Sequence, residues 1–169
     1  MNNIPENIYA ENLGTHGIYI SPGKVTVKNV EVKNAKEYGF VNVGGEATAT
    51  DITITGAGTS AFINYDSTFN GKGEKGLLTL KNCTATDCNS NLLVRGGTSV
   101  KVSDCTFNKT KRTNVHMTEG TRIVRTPYCN LYDQTPGLTG RSVNVSLVLH
   151  SLPLFCNIYV YSYLSSMTR

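Results

Sequence analysis

Few residue types in this chain can do chemistry, and each type sets its own requirement. His16 sits beside a glycine in "THGIYISPG" (15–23), a setting in which an imidazole can move protons near neutral pH. Arg122 and Arg125 lie in "TRIVRT" (121–126), and with Arg95 and Arg112 they offer a basic strip for an acidic ligand. Cleavage of a glycosidic bond needs two positioned carboxyl groups. The aspartates nearest to a shared column are Asp51 and Asp104, but Asn82 separates them. Five cysteines occur without CxxC spacing or a paired histidine, so no zinc site is expected, and the odd count argues against a complete disulfide framework.

The elements that must position these residues come from an internal repeat. "NIYAENLGTHGIYIS" (7–21), "NVEVKNAKEYGFVNV" (29–43) and "DITITGAGTSAFINY" (51–65) succeed each other at 22 residues. "NCTATDCNSNLLVRG" (82–96) follows after 31, and "DCTFNKTKRTNVHMT" (104–118) after 22. One column holds Asn7, Asn29, Asp51, Asn82 and Asp104, residues that tolerate the left-handed conformation of a tight turn. Next to it run Ile8, Val30, Ile52, Cys83 and Cys105, so the two cysteines stack as small core residues. Alternating apolar positions make each copy three short half-buried strands. Stacking equivalent strands in parallel closes the ladders and buries the inner columns. The fold class is all-β, a right-handed single-stranded parallel β-helix of about five coils, roughly 22 residues each, over residues 1–125.

"GKVTVKNVEVKNA", "GEATATDITITGAG" and "GLLTLKNCTATDC" resemble the right-handed parallel β-helix (pectin lyase-like) superfamily of pectate lyases, polygalacturonases and phage tailspikes, and the repeats of bacterial surface adhesins. The resemblance implies the coil. It implies catalysis weakly, because "THGI" stands where polygalacturonases carry Gly-His-Gly and their aspartate motifs have no counterpart here. In the repeat, His16 shares its column with Tyr38, Ser60, Asn91 and Thr113, which makes it a variable slot before a strand.

Strict alternation turns Tyr19, Val41, Ile63, Val94 and His116 outward, an apolar stripe suited to a partner or a glycan. It turns Ile20, Asn42, Asn64, Arg95 and Met117 inward. Asn42 and Asn64 then form an internal amide ladder, while Arg95 fits badly and signals a bulge or a slip. The Gly/Lys-rich insertion 66–76 reads as a flexible surface loop. The expected ligand-contacting residues are His16, Tyr19, Tyr38, Phe69, Lys72, Lys75, Arg95, Arg112 and His116, with no catalytic set, no metal and no cofactor.

After Arg125 the repeat reads as ended. Residues 142–168 contain no Asp, Glu, Lys or Arg, but polar residues and Pro interrupt them, so strands at 142–149 and 157–164 fit better than a membrane helix. This tail, 126–169, reads as a cap, an interface or a foreign segment. A net charge of +4 without a basic block argues against nucleic acid, and no signal peptide is visible. The leading expectation is a non-catalytic domain or fragment of an extracellular, cell-surface or virion protein that presents a face to a glycan or partner. The rivals are a fragment of a polysaccharide lyase or hydrolase, and a structural stalk that self-associates as in tailspikes.

Overall fold

The computed structural model describes residues 6–69, 71–118, 120–125 and 130–131. Cys129, Cys156 and the strands read at 142–149 and 157–164 lie outside them. Fourteen strands are described: β1 (Glu6–Glu11), β2 (His16–Ile20), β3 (Lys24–Lys33), β4 (Tyr38–Val43), β5 (Glu46–Thr55), β6 (Ser60–Tyr65), β7 (Leu77–Lys81), β8 (Thr84–Thr86), β9 (Ser90–Val94), β10 (Ser99–Ser103), β11 (Thr106–Phe107), β12 (Thr113–Met117), β13 (Arg122–Arg125) and β14 (Asn130–Leu131). Every pairing is parallel, between strands about one coil apart. The fold is an all-β parallel solenoid of about five turns.

Two sheets enclose the core. One has five strands in the order β12-β9-β6-β4-β2. The other has nine and bends around two sides, because β5 pairs with β7 through its first half and with β8 through its second. The bend is local chemistry. Asn7, Asn29, Asp51, Asn82 and Asp104 all take positive φ, between 50° and 57°. That conformation costs Asn and Asp little. It turns the chain within one residue while Val30, Ile52, Cys83 and Cys105 beside it stay inside. Neighbouring amides tie the column across coils: Asn29 Nδ2 donates to Asn7 Oδ1 at 3.4 Å, and Asn82 Nδ2 to Asp51 Oδ1 at 2.5 Å.

A second left-handed column sits at the next corner, with Asn12, Asn34, Gly56, Asp87 and Lys109 at φ of 46–74°. Here the alignment from sequence needs one correction. Four residues link the strands at this corner in most coils, but Asp87–Asn89 is one short. The nine-stranded sheet keeps the expected offsets, with Ile54 on Ala85. On the five-stranded sheet Ser60 lies on Ser90, a step of 30, and Ser90 on Thr113, a step of 23. Ser90 therefore replaces Asn91 in the His16 column. Leu93 replaces Val94 outside, and Val94 replaces Arg95 inside. Arg95 follows the strand, exposed, and the misfit of a buried guanidinium disappears.

The core is a set of stacked columns. Val27, Ala49, Leu80 and Val102 form one, and Val32, Ile54, Ala85 and Phe107 another. Phe40 stacks toward Phe62 with centroids 6.2 Å apart, and Phe62 toward Phe107 at 5.7 Å. Each such side chain contributes about 1.5–3 kcal/mol on burial. Cys83 and Cys105 are free thiols in contact through Cys83 N–H to Cys105 Sγ at 3.4 Å. Cys88, also free and buried, accepts from Ala57 N at 3.3 Å. Beyond Arg125, where the sequence reading ends the repeat, the ladder continues: Asn130 and Leu131 pair with Thr106 and Phe107.

Candidate ligand-binding face

The outer face of the five-stranded sheet is built by a break in alternation. A Cβ on Gly39 would point into the core, 2.5 Å from Ile54 Cγ2, and the next residue, Phe40, is buried in the core as well. Two successive residues face in, so Tyr38 and Val41 both face out, as at a β-bulge. Val41, Val43, Ile63 and Leu93 form a separate outer apolar cluster, each at most 6% exposed, with Tyr38 and Tyr65 packed against it. In register, Tyr19, Val41, Ile63, Leu93 and His116 cross the five strands in one row.

Rings line this floor. His16 contacts Tyr19 with centroids 5.7 Å apart and Tyr38 at 5.4 Å. Burial and a hydrogen bond with Tyr65 push the Tyr38 hydroxyl up to about 12. Tyr65 meets Phe69 edge-on at 5.1 Å, and the Arg95 guanidinium lies 5.9 Å from the Tyr65 ring. At the far end, desolvation and then the Arg95 charge hold the His116 imidazole below its ordinary value. The strip thus brings together His16, Tyr19, Tyr38, Phe69, Arg95 and His116. Tyr65 joins them and was missed from sequence. Its signal was present: it stands two residues after Ile63, on the same side of the strand.

Phe69 reaches the strip from the insertion 66–76, whose described residues gather around Asp66. The Asp66 side chain is fully buried. Its Oδ2 accepts from Thr68 Oγ1 at 2.8 Å, Gly73 N at 2.9 Å and Thr68 N at 3.4 Å, and its Oδ1 from Gly71 N at 3.0 Å. Burial pushes this carboxyl up, but the donated bonds outweigh it and bring it down to about 2. Gly96, at φ 67°, leaves the room that Asp66 fills, since a Cβ there would lie 2.2 Å from Asp66 Oδ1. The loop puts Phe69, 56% exposed, on the aromatic side. Lys75 folds the other way, donating to Gly96 O at 2.6 Å and to Gly71 O. Lys72 is exposed on the same loop, and Arg112 is exposed in the turn before β12.

His16 Nδ1 lies 3.8 Å from Glu37 Oε2, the acidic partner the structure gives it. Arg122, of "TRIVRT", belongs to the nine-stranded sheet at the opposite end of the solenoid. At least four strand spacings of about 4.8 Å separate the two. Among the described residues no three His, Cys, Asp or Glu side chains gather as metal ligands.

Residues 16–146 match the family model described as right handed beta helix region. No curated protein and no solved structure matches the chain.

Proposed function

The chain belongs to the right-handed β-helix family, and from that premise we propose that it is a non-catalytic surface domain whose five-stranded face holds a saccharide chain. One observation carries this reading: two groups of contacting rings, Tyr19–His16–Tyr38 and Tyr65–Phe69, joined by the Tyr38–Tyr65 hydroxyl hydrogen bond over an apolar floor and ended by Arg95. A sugar ring has a C–H face that packs on aromatic rings and a rim of hydroxyls that needs donors and acceptors. Tyrosine supplies both a flat apolar body and a polar tip. Rings fixed in advance by coil packing also lose little entropy when a ligand arrives. A cell-surface or virion setting accords with such a ligand.

A glycan array followed by calorimetric titration tests the proposal. Saccharide binding by the intact chain, weakened about tenfold by Tyr38→Ala and by Tyr19→Ala, supports it. Absence of binding across the array, or affinity indifferent to both substitutions, overturns it. Release of reducing or unsaturated ends from a bound glycan would replace the non-catalytic reading with that of an enzyme.

A further inference from the structure

A second surface feature lies on the nine-stranded sheet, away from the rings. Lys75, Gly76, Leu77, Ser99, Lys101, Arg122 and Val124 enclose an open groove of about 290 Å³. Register explains the convergence. Leu77, Ser99 and Arg122 succeed each other across β7, β10 and β13, and Lys101 pairs with Val124 two residues along. Three cations from three successive coils therefore share one cleft, and none of the described residues that line it is acidic. Glu46, the carboxylate of the same outward row, is engaged by Lys24 at 3.3 Å. Lys75 is fixed at the rim by the carbonyls of Gly71 and Gly96, which leaves one of its three donors for a ligand.

We infer that this groove is an oxyanion site, sized for one acidic sugar residue or a small free oxyanion. Like charges placed together without a counter-ion repel one another, and an anion between them removes that repulsion and gains charge-assisted hydrogen bonds from Lys101 and Arg122. The volume is close to the lower end of the roughly 300–1,000 Å³ of small-molecule clefts, which suits one ring and not a long chain segment. Leu77 and Val124 supply an apolar wall, and Ser99 a hydroxyl. The inference does not depend on the aromatic face.

Amide NMR of the full chain, titrated at low ionic strength with galacturonate, with inorganic sulfate and with glucose, tests it. Saturable shifts centred on residues 76–77, 99–101 and 122–124 with the anions and not with glucose support the site. Tighter binding of galacturonate than of sulfate assigns it to an acidic sugar, and equal binding assigns it to a free oxyanion. Lys101→Ala and Arg122→Ala each weaken the anion about tenfold, Lys101→Arg largely keeps it, and added salt weakens it in all forms. Both alanine positions are exposed, and an unchanged amide spectrum elsewhere verifies their folding. Tyr38→Ala leaves groove binding intact, so loss of one site is distinguished from loss of the other. No anion-induced shifts, equal shifts with glucose, or affinity unchanged in both alanine variants overturns the inference.

Discussion

Asn42 and Asn64 bond each other inside the solenoid, one coil apart, with Nδ2 to Oδ1 at 2.7 Å. Both are fully buried. Asn42 Nδ2 also reaches Gly45 O at 2.9 Å, and Asn64 Nδ2 reaches Gly76 O at 3.1 Å and Ser99 O at 2.9 Å. The pair therefore ties the five-stranded sheet to the chain as it enters the nine-stranded one. Asn64→Ala removes one acceptor of Asn42 Nδ2, which keeps Gly45 O, and the side-chain donor to Gly76 O and Ser99 O, of which Gly76 O keeps the Ser99 N–H at 3.2 Å. A lost buried hydrogen bond costs about 1–3 kcal/mol, so a loss in that range is expected in urea unfolding. Asn64→Asp is expected to be worse near neutral pH, because a carboxylate then faces the carbonyls of Gly76 and Ser99.

Gly39 and Ile54 are matched in size. A Cβ on Gly39 would stand 2.5 Å from Ile54 Cγ2 and 2.9 Å from Ala61 O. One coil on, the repeat offsets set Ala61 against Ala85, where the smaller partner admits the methyl group. Gly39→Ala should thus cost about 1–3 kcal/mol through overpacking. Ile54→Ala, which removes both the Cγ2 and the Cδ1 that a Gly39 Cβ would meet, should when combined with it cost less than the sum of the two single changes. A double-mutant cycle by chemical denaturation reads the coupling, and strict additivity would refute the size match.

How much of this was legible in the sequence depends on what each residue does. The Asn/Asp column and the apolar columns beside it recur, and recurrence is what a repeat alignment detects. The Asn42–Asn64 ladder followed from the same alternation. The short corner at Asp87–Asn89 escaped detection because Ser90 and Asn91 are both acceptable in a polar slot, and Leu92 and Leu93 are identical in character. Arg95 in a buried row was the one visible symptom. The inward pair Gly39 and Phe40 was hidden because glycine carries no pattern. The turn in the insertion depends on Asp66, a single residue whose partners are mainly backbone amides of the loop itself, so composition gave no sign of the carboxylate-centred turn.

The buried thiols make a chemical prediction. Hydrogen bonding with Cys105 and burial push the Cys83 thiol up, and burial pushes Cys88 up. Thiolate is the reactive form, so both sites should resist alkylation in the native protein. Peptide mapping after iodoacetamide should find Cys83 and Cys88 unlabelled near neutral pH, and labelled once urea unfolds the chain. Native labelling at rates near that of a free thiol would show that the coils open at these positions.

Asp66 gives the pH dependence its direction. Its folded carboxyl titrates at about 2, below the ordinary value of 3.8, because the loop donates to the ionised form. A depressed folded value means that ionisation favours the folded state. That contribution is complete above about pH 4 and is lost as pH falls from there through about 2. The thermal midpoint of the native chain should fall across this window by a few degrees more than that of Asp66→Asn, which has no carboxyl to protonate. At pH 7 the substitution should itself lower the midpoint, since an amide presents one acceptor oxygen where the loop supplies donors to two. The rings provide a local readout. Phe69, carried on this loop, meets Tyr65 edge-on, so the ring-current shifts of the Tyr65 protons should weaken over the same pH interval in the native chain. Parallel acid profiles for the native chain and Asp66→Asn would show that another group controls the loop.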